Sequence, residues 1–209
     1  NFVTIHDWDV ALADIVLPYI DWNAGVNQLK HQVDGLKYHW VYHGVNFEVI
    51  CTDARTMRAF SGNTMADGVS HLISQTGIDE QIVNVGGTKK DLTILITGTP
   101  LYGSGTVEKS IEGAKHIMGK TTPYVDFESW NIREFTRQTV VSALATRHKP
   151  VAEGEPIKHR VIVLSGDVHY GFTNQVRLEA TETFKYGLEN VELFIVQCCA
   201  RSFKNQKTK

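Results

Sequence analysis

Four short aliphatic runs, each followed at once by small, polar or charged residues, constrain this chain most. They are Phe47 to Cys51, Leu92 to Ile96, Val161 to Leu164 and Val191 to Val196. Runs of this length, rich in Val, Ile and Leu and bounded by Gly or polar residues, read as buried strands. Because they are continuous and not alternating, they suggest strands covered on both faces. Tyr38 to Tyr42 reads as a further strand that turns at His43 and Gly44 to pair with the Phe47 run.

Helical spacing fills the intervals. Val69, Leu72, Ile73, Ile78 and Ile82 mark a helix over 67–82, with Gly77 as an interruption. Val107, Ile111, Ala114 and Met118 mark one over 106–118. Phe135, Val140, Val141 and Leu144 form the clearest apolar stripe, over 131–148, with Asn131 placed as N-cap and Pro150 closing it. Helical structure is also expected over 11–29, against the objection of Pro18, and an exposed connector over 150–159. Strands alternating with helices give an α/β class. With 209 residues the chain suits a single domain, 1–209. It starts on Asn1 rather than Met, so the domain is expected to be truncated at its N-terminus.

A formal net charge of −2 gives no reason to expect a nucleic-acid or membrane-surface partner. No apolar run reaches the about 20 residues that span a bilayer. The three cysteines, Cys51, Cys198 and Cys199, are odd in number and irregularly spaced, which argues against a disulfide framework. They read as buried thiols in a reducing, cytoplasmic setting.

In open α/β sheets the carboxyl ends of parallel strands line the ligand crevice. Here those ends carry Thr52-Asp53-Ala54-Arg55-Thr56, Thr97-Gly98-Thr99-Pro100 and Ser165-Gly166-Asp167-Val168-His169. In extended backbone, residues i and i+2 face the same side, so Asp167 and His169 would aim a carboxylate and an imidazole at one point. An oxygen and a nitrogen donor together suit a divalent or trivalent first-row metal. Gly166 leaves room there for a metal or phosphate. The plainer alternative is an Asp that caps a turn and a His bonded to backbone. Arg55 is a candidate phosphate contact, or half of an Asp53–Arg55 pair bracing the loop. Tyr170 is a candidate donor to a phosphate oxygen, or a core residue. Asp126 and Glu128, ahead of Trp130, either approach the metal or brace their loop. His39 and His43 read as surface or structural. A Ser-dependent hydrolase is disfavoured, since no Gly-x-Ser-x-Gly elbow is present.

The longer string Val161-Ile-Val-Leu-Ser-Gly-Asp-Val-His-Tyr-Gly171 resembles the C-terminal metal motif of PhoD-like phosphatases, in the calcineurin-like metallophosphoesterase superfamily. Further resemblance, in the family's order, runs through Phe47 to Arg58, Ile94 to Gly103, Val125 to Trp130 and Val196 to Asn205. The resemblance implies a two-sheet sandwich flanked by helices. It implies Asp167 and His169 as metal ligands and catalytic centre, with Fe, Ca, Mn or Zn as the ion. It also implies hydrolysis of phosphate mono- or diesters by a metal-activated hydroxide, on a small-molecule, phospholipid or nucleotide substrate. Two departures stand out. The family's early ligands have only Ile5-His-Asp-Trp-Asp9 as a poor counterpart, and its closing Ser-Ser is Ala200-Arg201 here. The early-ligand gap motivates the alternative of a non-catalytic binding module.

Overall fold

The computed structural model describes residues 21–23, 28–30, 37–55, 57, 72–103, 130, 134–168, 171–180, 186 and 188–201. Its centre is a six-stranded mixed sheet. In chain order the strands are β3 (Trp40–His43), β4 (Phe47–Cys51), β5 (Leu92–Thr97), β6 (Ile157–Val168), β7 (Phe172–Ala180) and β8 (Val191–Arg201), ordered β3-β4-β5-β6-β8-β7 across the sheet. The four inner strands, β4, β5, β6 and β8, run parallel, and the two edges, β3 and β7, run antiparallel to their neighbours. The ends of β4, β5, β6 and β8 therefore share one rim, as the strand–helix alternation predicts.

A separate two-stranded hairpin pairs β1 (Asp21–Asn23) with β2 (Gln28–Lys30). This corrects the helix expected over 11–29, since 21–23 and 28–30 are extended backbone. Trp22 and Leu29 are register partners there, so the apolar residues that mimic helical spacing are cross-strand neighbours. The first half, 11–20, lies outside the described residues, as does the helix expected over 106–118.

Two helical segments cover one face. The first, α1 (Gln75–Ile78), continues as a single π-turn over Asp79–Val83. Ser74 caps its start, accepting from the backbone N–H of Gly77 at 2.9 Å. Gly77 lies buried inside α1 and does not interrupt it. The second, α2 (Glu134–Ala145), is shorter than expected, and the N-cap proposed at Asn131 lies outside the described residues. Every residue from Thr139 to Ala145 is buried, the pattern of a helix enclosed on all sides.

The core joins this helical layer to alternate strand residues: Ile50, Leu95, Val161, Val163, Leu193 and Ile195 pack with Ile78, Ile82, Val140 and Leu144. The other face is half-buried to exposed, with Phe47, Leu164 and Phe194 at 37%, 39% and 40% exposure. The expected two-sided cover is therefore observed on one side of the sheet. The same alternation splits the cysteines: Cys199 is buried, Cys51 is half-buried and Cys198 is exposed, against the expectation of three buried thiols.

The connector expected over 150–159 is exposed through 156, but β6 already begins at Ile157 and His159 is buried. Lys158, which the connector included, and Arg160 alternate outward from the strand.

Candidate functional site

Three connections meet at the carboxyl rim: 52–57 after β4, 98–103 after β5, and the segment after β6. Two buried glutamines fix the first two. Gln81 accepts from the backbone N–H of Asp53 at 2.7 Å and donates to its carbonyl at 3.2 Å. Gln197 treats Tyr102 the same way, accepting from its N–H at 3.0 Å and donating to its carbonyl at 2.6 Å. Each amide imitates a strand neighbour and satisfies backbone where the ladder has ended. The guanidinium of Arg137 lies 5.1 Å over the Tyr102 ring, a cation–π contact that holds the loop from α2.

Asp53 and Arg55 fall on the first connection. The Asp53 carboxylate is 4% exposed and accepts from the backbone N–H groups of Tyr38 (3.0 Å) and Arg55 (2.9 Å). It is thus committed to shaping the turn. The Arg55 side chain is exposed at the same rim.

Asp167 lies in the last part of β6, where the ladder is irregular. Ser165 pairs with Cys199 and Val168 with Arg201, so β6 advances three residues while β8 advances two. This β-bulge inserts one residue in the stretch that holds Gly166 and Asp167. Bulges of this kind bend a strand and re-aim its side chains, and they are enriched beside active sites. The bulge also bears on the i, i+2 geometry assumed for Asp167 and His169, which holds only for regular extended backbone. The side chain of Asp167, all of His169 and Tyr170, and Asp126 with Glu128 lie outside the described residues, as does 5–9. Among the described residues no three His, Cys, Asp or Glu side chains group as metal ligands.

Two rim residues were not singled out from the sequence. Thr97 and Ser165 are register partners on β5 and β6; the Thr97 hydroxyl is buried with no hydrogen-bond partner among the described residues, while the Ser165 hydroxyl, also buried, lies beside the Cys199 thiol. Thr97 is 4% exposed. A buried polar atom without a partner costs about 1–3 kcal/mol. The Thr97 hydroxyl therefore marks a place where folding leaves polar demand unmet. Next in the row is Cys199; burial pushes its thiol above the ordinary range, against a smaller downward pull from the Ser165 hydroxyl.

Just beyond these hydroxyls stand Gly98 and Gly166, joined by a long hydrogen bond from Gly166 N–H to the Gly98 carbonyl at 3.3 Å. A Cβ placed on either would meet no atom within 4 Å, and neither has a positive φ. Neither protein packing nor backbone conformation demands glycine at either position. The donor set that the sequence points to, a carboxylate and an imidazole, fits a divalent or trivalent first-row ion chemically. The open space at Gly98 and Gly166 and the unmet Thr97 hydroxyl fit a polar guest at this rim.

The chain was compared with protein-family models, curated proteins and solved structures, and it matches none of them.

Proposed function

We propose that the chain carries metal ligands of a phosphoesterase site and that the protein hydrolyses phosphate mono- or diesters. The observation that carries this reading is the bulge at Gly166–Asp167. It lies at the end of an inner parallel strand, with empty space around both glycines and the unpartnered Thr97 hydroxyl behind them. The resemblance of 161–171 to the PhoD-like motif assigns that place its chemistry. The two-sheet sandwich of those enzymes is part of the proposal.

In this reading Asp167 and His169 would hold the ion, with Asp126 as a further oxygen donor. When bound, the ion supplies Lewis acidity, making water acidic enough to attack near neutral pH and offsetting charge that grows on the phosphoryl group. Arg55, charged at any working pH, binds and orients a phosphate oxygen from the exposed end of the β4 connection. Tyr170 donates its hydroxyl to another. Gly98 and Gly166 keep the approach free of side chains. Substrates are small phosphate esters, with phospholipids and nucleotides in the same chemical class.

The test is hydrolysis of bis-p-nitrophenyl phosphate by the full-length protein with Fe, Ca, Mn or Zn supplied. Asp167→Ala and His169→Ala are each expected to lower the rate by at least about a hundredfold. Near-normal turnover in both variants would end this reading.

A further inference from the structure

The sheet has two edges, and they are finished differently. β3 is four residues long, and shortness is one of the ways proteins blunt an edge. β7 is nine residues long and carries no such device. It contains no Pro and no Lys. Its register with β8 is unbroken from Phe172 opposite Cys199 to Ala180 opposite Val191, so no bulge bends it away. Along the side turned from β8, alternate residues present backbone N–H and C=O groups. No described residue bonds to the backbone on that side between Thr173 and Glu179.

Beside this edge, on the helical face, a groove of about 410 Å³ opens between β7 and α2. Tyr102, Arg137, Val141 and Leu178 line it. Val176 and Leu178 pack against the core from that face yet stay half-buried, with no described strand beyond β7 to cover them. The opposite face of the strand carries Arg177 and Glu179, each 62% exposed. Within the chain, Arg177 bonds Glu179 and Glu192, both at 2.9 Å.

We propose that β7 is the seam of a two-fold dimer, pairing antiparallel with β7 of a second copy so that the two sheets become one. Across an antiparallel seam, residues opposite each other lie on the same face. Their numbers share a constant sum, so each register is named by the residue on the two-fold axis. An axis at Arg177 sets that cation against itself, and one at Glu179 sets two carboxylates together. Axes at Gln175 or Val176 leave both charges opposite uncharged residues. An axis at Leu178 places Arg177 of each copy opposite Glu179 of the other. The same register puts Val176 opposite Ala180 and Leu178 opposite itself on the helical face. The second copy's apolar row then adjoins the groove beside α2. Backbone bonds and this burial carry the affinity. The ion pairs are too exposed to add much to it, and they select the register.

The test is sedimentation velocity of the full chain over a concentration series. A seam this small predicts a dimer with a Kd of about 1–100 µM. R177E and E179R each set like charges across the seam, and each should weaken the dimer at least about tenfold. Both side chains are exposed, so the thermal midpoint should move little. The double exchange R177E/E179R restores opposite charges across the axis and should bring Kd back to within about threefold of the parent. That recovery is the signature of an axis at Leu178. A chain that stays monomeric up to about 1 mM leaves the edge to another occupant and overturns the proposal. So does a dimer indifferent to both single substitutions, or one that the double exchange fails to restore. None of these outcomes depends on hydrolysis at the carboxyl rim.

Discussion

The two ends of the same four parallel strands are finished in opposite ways. At the amino end, Glu48 on β4, Thr93 on β5 and His159 on β6 form a buried chain closed by Arg147, and every link is a hydrogen bond of 2.6–2.9 Å. At the carboxyl end, the Thr97 hydroxyl on β5 is buried and makes none, and its register partner Ser165 on β6 is half-buried with only the Cys199 thiol beside its hydroxyl. Polar residues in a sheet interior are tolerated when they satisfy one another and costly when they do not. The first end therefore holds the sheet together, and the second leaves part of its polar demand unmet. The comparison also separates the strand-end glycines from Gly87, whose φ of 86° and contact with the His43 ring are demands of the fold itself.

The sharpest break in that contrast comes from Arg147→Ala. It leaves Glu48, 0% exposed, as an uncompensated buried charge, and about 3–5 kcal/mol of stability should be lost in chemical denaturation. A loss under about 1 kcal/mol would mean that the amino end is not closed in this way.

Acid should weaken the same end. Burial pushes His159 down from 6.5 to about 4, outweighing the upward pull of Glu48 and Asp91, with His148 and Arg147 adding to the fall. Between those two values the unfolded chain binds the proton and the folded one does not. The folded state therefore keeps its full stability above pH 6.5 and loses it as pH drops through that window, by about 3 kcal/mol before levelling below about 4. Denaturation midpoints across that range, compared with a His159→Gln variant, isolate this ring from the carboxylates. Matching slopes in the two proteins would contradict the assignment.

The carboxyl end should respond in function and barely in stability. Gly166→Ala has open space and an acceptable φ, so its unfolding midpoint should stay within about 1 kcal/mol of the parent, while phosphodiester turnover falls about tenfold or more. Thr97→Val in parallel removes an unpartnered hydroxyl and should be neutral or slightly stabilising. Thr93→Val, by contrast, should cost about 1–3 kcal/mol by stranding its partners. Equal costs for the two threonines would erase the distinction between the ends.

Much of the scaffold was legible in the residues. The aliphatic run Phe47 to Cys51 is β4, and Leu92 to Ile96 extends only to Thr97 as β5. Apolar continuity marks inner strands because their half-exposed face is also aliphatic. The same cue hid the first residues of β6, where Lys158 and Arg160 alternate with buried Ile157 and His159. It also hid β7, whose Thr173, Gln175, Arg177 and Glu179 face out between Asn174, Val176 and Leu178. Period-2 alternation was present in both, but a continuous run is the louder signal. His159 reads as a loop residue because its partners, Thr93 and Glu48, are distant in sequence. The bulge at Gly166–Asp167 depends on the registry of β8 and leaves no local trace, and the unmet state of the Thr97 hydroxyl is a property of packing.

The most direct measurement is metal content of the purified chain by elemental analysis, alongside Asp167→Ala and His169→Ala. The account predicts bound Fe, Mn, Zn or Ca in the parent, lost on either substitution with the fold intact by circular dichroism. Metal retained undiminished in both variants, or a parent chain that takes up none when each ion is supplied, would contradict it.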